Sequence, residues 1–300
     1  MVRLEVEVGG LRLRNPVMLA SGVVGVTGKL MMRAAEAGAG AVVTKSVGPE
    51  RRAGYGNPTM VEVLPESYIN CMGLPNPGID EFTEEIRVAK RGGVPVIVSV
   101  FGGSPEEFAV VAEKAEDAGA DAVELNVSCP HTEVGVLERE PRVVRQVVEA
   151  VKKRVGVPVF VKLSSNVTSI VEAGRAAEEA GADAVTAINT VRAMVIDVET
   201  CRPILSNRFG GLSGAAIKPI AVRCVYELYE ALKIPVIGVG GIFSWADAVE
   251  HILAGASAIQ VATALTKGFS VFKELVDGIR AYLERKGFKD IREVVGAAHV

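Results

Sequence analysis

The chain has 300 residues, 33 basic against 36 acidic side chains for a net charge of −3, and 49% hydrophobic and 5% aromatic content. This composition supplies ample core for one large domain and excludes a disordered chain, while the balanced charge argues against a dedicated nucleic-acid binder, which carries a basic face. The apolar run from Val94 to Phe101 is far shorter than the ~20 residues that cross a bilayer, so the sequence reads as an intracellular, cytoplasmic protein with no membrane span.

In chain order, two short alternating runs at 4–8 and 11–13, joined by Gly9-Gly10, predict a hairpin that plugs the bottom of the fold. Residues 16–20 make a first buried strand ahead of a helix near 28–37. Two phrases then alternate. An Ala-Gly-Ala phrase opens strands two, four, six and eight: AGAGAVVTK from Ala37, AGADAVELN from Ala118, AGADAVTAIN from Ala180 and AGASAIQVAT from Ala254. A proline-led apolar phrase supplies strands three, five and seven: VPVIVSVFGG from Val94, VPVFVKLS from Val157 and IPVIGVGG from Ile234. Gly38, Gly119, Gly181 and Gly255 sit where a helix must stop in a left-handed turn. The runs after them lack polar alternation, as strands buried on both faces do. Helical stretches fall at 105–118, 141–154, 167–180, 215–232 and 245–254. Eight buried strands alternating with helices over about 250 residues predict a (β/α)8 TIM barrel. A doubly wound open sheet is the alternative, but it lacks an early G-x-G-x-x-G turn. The stretches 46–93 and 190–214 read as insertions after strands two and six, and nothing marks a second domain, so residues 1–300 read as one barrel domain.

Barrel chemistry sits where strands finish. The ends are Ser21-Gly22, Lys45-Ser46, Gly102-Gly103, Asn126 with Ser128 and Cys129 beyond, Lys162, Asn189-Thr190, Gly240-Gly241 and Thr263. Glu124 is the one nearby acid, two residues inside its strand. Such a rim suits an anionic ligand and lacks the paired carboxylates of glycosidases. The Gly240-Gly241 turn matches a phosphate cradle, though two glycines also make a tight turn on their own. A lysine ending an apolar run inside a barrel is a costly choice, which points to function for Lys45 and Lys162. Cys129, among polar neighbours in Asn-Val-Ser-Cys-Pro-His, reads as reactive, whereas Cys71, Cys201 and Cys224 read as inert. With no C-x-x-C pair and no histidine at zinc-ligand spacing, neither a disulfide framework nor a metal site is expected. His131 is ambiguous, His251 is expected on an outer helix face, and His299 in a terminal tail. Glutamine is confined to Gln146 and Gln260 amid many charged residues, a leaning towards a heat-adapted source.

These residues resemble the class 1 dihydroorotate dehydrogenases, FMN-dependent enzymes of pyrimidine biosynthesis, over nearly the whole chain. The resemblance is carried by NPVMLASG at 15–22, TKSV at 44–47, NCMGLPNPG at 70–78 and ELNVSCPH at 124–131. It continues through VKLSSNV around Lys162, INTVRAMVID at 188–197, GGLSGAAIKPIA from Gly210, and then GVGGI and VATAL. It implies that Cys129 is the base that takes the C5 proton of (S)-dihydroorotate while C6 passes hydride to N5 of FMN. The membrane-associated class 2 enzymes carry serine there. Asn70, Asn126 and Asn189 would bind the pyrimidine and its carboxylate, with Met72, Gly73, Leu74 and Thr190 shaping the pocket. Lys45 would serve both substrate and flavin, and Lys162 would stand at the flavin's N1/O2 edge. Ser21, Ser46, Asn126, Ile188, Gly214, Gly240, Gly241, Ala262 and Thr263 would complete the FMN contacts.

INTVRAMVID and the following ETCRPIL resemble type B enzymes more than the fumarate-using type A. Type B enzymes pair with a subunit carrying FAD and an iron–sulfur cluster and pass electrons to NAD, which implies a catalytic homodimer within a heterotetramer of two catalytic and two electron-transfer chains. Three departures stand out: Ala262 in place of a glycine, which would tighten the phosphate turn, His131 in place of an asparagine, and Ser165 in place of a proline, which costs loop rigidity. A flavin barrel acting on another dihydropyrimidine and a non-catalytic subunit that binds FMN or a phosphate metabolite are the other readings.

Overall fold

The computed structural model describes residues 2–127 and 140–299. At its centre is a closed parallel barrel of β1 (Val17–Leu19), β2 (Ala41–Val43), β3 (Val96–Val100), β4 (Ala122–Asn126), β5 (Val159–Leu163), β6 (Ala184–Ala187), β7 (Val236–Val239) and β8 (Ala256–Val261). Each strand pairs with the next in chain order, and β8 pairs back to β1. The helices are α1 (Gly28–Glu36), α2 (Ile79–Lys90), α3 (Pro105–Asp117), α4 (Pro141–Lys152), α5 (Ile170–Glu179), α6 (Lys218–Ala231), α7 (Trp245–Leu253) and α8 (Val271–Lys286), and successive helices pack on one another from α1 to α8. The predicted (β/α)8 barrel is the observed fold. Among the described residues no helix is long and apolar enough to cross a membrane.

Local chemistry explains the boundaries. In α4, Val143, Val144, Val147, Val148 and Val151 form one buried stripe, the spacing a helix needs to cover a barrel strand. Ser104, Ser169 and Ser244 cap α3, α5 and α7 by accepting from backbone N–H groups. The cap at Ser169 starts α5 three residues later than the sequence pattern suggests. A short 3-10 turn, Ala215–Ile217, precedes α6. The four helix-stopping glycines do adopt left-handed backbone, with φ of +116, +100, +91 and +116 at Gly38, Gly119, Gly181 and Gly255.

The repeated Gly-Ala-Asp phrase has a repeated job. Asp121 accepts from Val96 N–H and pairs with Lys90, while Asp183 accepts from Val159 N–H and pairs with Lys152. Each carboxylate thus ties the start of one strand to the end of the preceding helix. The hairpin of Val6–Val8 and Leu11–Leu13 closes the bottom, where Gly9 lies against Phe160 and the Asp183 carbonyl.

Two elements were not anticipated. The stretch 46–93 is not all insertion, because its last part is α2, and the C-terminal α8 was not singled out. Both insertions join one antiparallel sheet in the order Val191–Met194, Phe209–Gly214, Ser67–Asn70, Met60–Leu64. His251 is fully buried, not on an outer face: its ring bonds the Gly240 carbonyl at 3.0 Å from behind the turn after β7. His299 is not a loose tail residue but stacks on Tyr226 with ring centroids 3.7 Å apart.

Candidate active site

The strand ends and the insertion sheet enclose a cavity of about 590 Å³ that adjoins a narrower cleft of about 80 Å³. Lys45, Ser46, Asn70, Met72, Gly73, Leu74 and Asn126 line the wide part, and Ile188, Gly214, Gly240 and Gly241 line the narrow part. Ser21, Lys162, Asn189, Thr190, Ala262 and Thr263 belong to both, so they mark the junction. Every described residue that the resemblance assigns to substrate or flavin therefore lines one of these two adjoining spaces, whereas Gly102 and Gly103, the end of β3, line neither. Ser128, Cys129 and His131 lie outside the described residues. A larger cavity of about 890 Å³ lies at the hairpin end, remote from these strand ends, and is lined by Arg3, Glu5, Glu7 and Arg12 among others. Arg3 and Arg12 there pair with Glu5 and Glu7.

A chain of hydrogen bonds fixes the rim. Ser46 Oγ lies 3.3 Å from Ser21 Oγ and 2.9 Å from Ser99 Oγ, and it accepts from Asn126 Nδ2 at 3.1 Å. Asn189 Nδ2 donates to Asn126 Oδ1 at 3.2 Å, and Asn189 Oδ1 accepts from Thr190 N–H at 2.8 Å. Groups from the ends of β1, β2, β4 and β6 thus hold one another in place. Asn70, on the insertion sheet, donates to the Gly211 carbonyl across its strand pair at 3.3 Å.

The electrostatics centre on two lysines. Lys162 is 6% exposed, and its Nζ stands 3.8 Å from Oε1 of the fully buried Glu124. Glu124 Oε2 accepts from Thr186 Oγ1 at 3.0 Å and from Gln260 Nε2 at 2.7 Å. Burial, reinforced by the charge of Lys162, holds Lys45 below the usual lysine range. At the narrow end, Gly241 has φ +73 and lies so close to Lys218 that a Cβ would meet its backbone. Lys218 is held at 2.8 Å by both Asp247 and Glu250, which raise its pKa. Behind the turn, burial pushes His251 down to about 4, so the ring is neutral and donates its Nε2–H to Gly240.

The departures from the family pattern resolve in part. Ala262 has φ −125, so an alanine costs no left-handed strain. Ser165 leaves its buried hydroxyl without a hydrogen-bond partner among the described residues. Of the cysteines expected to be inert, Cys224 is buried and its thiol is pushed up to about 11 by that burial, Cys71 is buried, and Cys201 is exposed.

Several lining residues escaped the sequence reading. Asn166 donates to Ser164 Oγ at 2.7 Å and to the Thr190 carbonyl at 3.0 Å, and accepts from Arg192 N–H at 2.8 Å, tying the turn after β5 to the second insertion. Its position just past a strand end was the available signal. Tyr55, Arg192 and Phe209 reach the cavity mouth from the insertions, with Arg192 over the Phe209 ring at 4.8 Å, and no local pattern marks them. Gln260 and Ser99 hide within apolar strands.

Comparison with known proteins gives the family. A family model described as dihydroorotate dehydrogenase matches residues 3–283. The chain is 52% identical over 300 residues to a protein of Methanocella arvoryzae named dihydroorotate dehydrogenase B (NAD(+)), catalytic subunit, covering 99% of this chain and 98% of that one. Proteins of the same name from Pyrococcus abyssi and Pyrococcus horikoshii are 55% and 56% identical over 298 residues, each covering 98% of this chain and respectively 99% and 97% of their own.

Proposed function

The chain belongs to the dihydroorotate dehydrogenase family, and from that premise we propose that it oxidises (S)-dihydroorotate to orotate in pyrimidine synthesis, as an FMN-holding catalytic subunit. The observation that carries this reading is the two-part cavity: a narrow glycine-walled cleft joined, at Lys162 and Thr263, to a wide chamber rimmed by amides and a second lysine. The donor set fits FMN. Gly240 and Gly241 leave no room for a Cβ, which suits backbone N–H groups closing on a phosphate. Lys162, buried at the junction, suits the ring edge that gains negative charge on reduction.

Bound there, FMN supplies a hydride acceptor at N5. The residues do the rest. Asn70, Asn126 and Asn189, with Thr190, orient the substrate's ring and carboxylate, and Met72, Gly73 and Leu74 shape its pocket. Lys45 offers a positive charge to the carboxylate at a modest desolvation cost, since its environment already disfavours its charge. Cys129, three positions beyond Asn126 in the sequence, removes the C5 proton; a thiol serves because its pKa tunes near the working range. Ser21, Ser46, Ile188, Gly214, Gly240, Gly241, Ala262 and Thr263 complete the FMN site.

The relatives are named as NAD(+)-linked catalytic subunits. We extend this to a cytoplasmic assembly in which a homodimer of this chain meets two subunits bearing FAD and an iron–sulfur cluster, with NAD as final acceptor. The test is an absorbance spectrum of purified protein before and after anaerobic dihydroorotate. A flavin spectrum that bleaches is expected. A spectrum that persists would reject the substrate, and no flavin after reconstitution with FMN would reject the reading.

A further inference from the structure

The layer beneath the cavity floor departs from what a barrel core normally holds. Barrel interiors are filled in layers by alternate strands, chiefly with bulky aliphatic side chains. Here the even strands β4, β6 and β8 contribute Glu124, Thr186 and Gln260, joined by hydrogen bonds onto a single carboxylate oxygen, Glu124 Oε2. Glu124 lies two residues before Asn126 on the same strand, so both point inward, one layer apart. Lys162 is in register with Asn126 on one side and with Thr186 on the other. Among the described residues, Glu124 and Lys162 are the only buried Asp, Glu, Lys or Arg side chains.

Such a layer is a poor device for stability, because buried ion pairs are commonly no better than apolar residues of the same volume. Its geometry has a direction instead. Oε2 is anchored twice, while Oε1 has no hydrogen-bond partner among the described residues and faces the ammonium at 3.8 Å, too far for a hydrogen bond. The carboxylate is thereby fixed beneath the ammonium without using up its donors. We infer that Glu124 is a positioning residue: it holds the Lys162 ammonium at the cavity floor and offsets its charge, and so sets how strongly the site favours reduced flavin. Thr186 and Gln260 hold the carboxylate for that task.

This inference rests on the proposed FMN site. Its test is Glu124→Gln, which preserves shape and leaves the Lys162 charge uncompensated. FMN is titrated against a redox dye of known potential in both proteins, and melting is followed alongside. The variant is expected to bind FMN and to shift the two-electron equilibrium about tenfold towards reduced flavin, a rise of about 30 mV. A structural role alone would lower the melting temperature and leave the potential where it was. An unchanged or lowered potential overturns the inference while leaving the FMN site intact. A wild-type protein that binds no FMN overturns both. If the single variant does not fold, Glu124→Gln with Lys162→Met, which leaves no unmatched charge, is expected to fold; its failure to do so overturns the pairing.

Discussion

Substituting Gly241 by alanine tests the narrow cleft through a cost that the structure sets. A Cβ there would lie 2.4 Å from Lys218 Cβ, 2.7 Å from its Cα and 2.9 Å from its backbone nitrogen. No rotamer relieves a contact with backbone, and Lys218 is itself held by Asp247 and Glu250. The left-handed backbone adds roughly 1–2 kcal/mol for any residue with a Cβ, and overpacking adds roughly 1–3 kcal/mol. The turn is expected to relieve this by moving, which misaligns its N–H groups. One charge-assisted hydrogen bond lost is worth roughly 1.5–3 kcal/mol, so the FMN Kd is expected to weaken about 10- to 100-fold. Gly93 separates crowding from backbone strain: its φ is +70, yet nothing lies within 4 Å of its Cβ position. Gly93→Ala should cost about 1 kcal/mol in urea unfolding and leave FMN binding unchanged. Fluorescence-quenching titrations of the apoproteins read both effects. Wild-type FMN affinity in Gly241→Ala, or equal loss in Gly93→Ala, would refute the steric argument.

Three further outcomes are expected at the site. Cys129→Ala should lower turnover by about 10²- to 10⁴-fold with FMN still bound; wild-type turnover in steady-state assays would remove its role as base. His251 is held at about 4 when folded against 6.5 when exposed, so the unfolded chain binds the extra proton between those values. Stability from this group is thus full above pH 6.5 and is lost as pH falls to about 4, by about 3 kcal/mol; equal pH slopes for wild type and His251→Gln in urea unfolding would contradict this. Lys45 is held below 10.5 by burial and by Lys162, so stability rises as pH climbs through its lowered value towards 10.5. Lys45→Met should accordingly stabilise the apoprotein at pH 7 while weakening orotate binding; a lower urea midpoint would count against it.

How much was legible in the sequence depends on how local each signal is. The strands announced themselves because each Ala-Gly-Ala or proline-led phrase carries its own stop and its own apolar run. Lys45, Asn126, Lys162 and Gly240 were readable because a polar residue or glycine closing such a run has few structural reasons to be there. The insertion sheet was not readable, since Asn70 meets Gly211 from 141 positions away and neither flank encodes the other. Glu124 was visible, but its partners Thr186 and Gln260 are single polar residues in mostly apolar strands, and nothing local links them to it. His251 was misjudged for a related reason. An amphipathic pattern places a residue around a helix, but the carbonyl that draws the ring inward belongs to Gly240, on the turn after another element.

The sheet shared by the two insertions makes the cavity mouth a single cooperative unit. Its central strands, Phe209–Gly214 and Ser67–Asn70, are each other's neighbours, so opening either insertion strips the other of its central pairing. Amide exchange in both stretches should therefore share one opening free energy, although the chain between them runs through four of the eight barrel strands. Pairing over that separation also carries a large loop-closure cost until the barrel has formed, so the mouth is assembled late in folding. The two insertions are consequently coupled in register: adding or removing a residue within Ser67–Asn70 or Phe209–Gly214 slips the pairing between them.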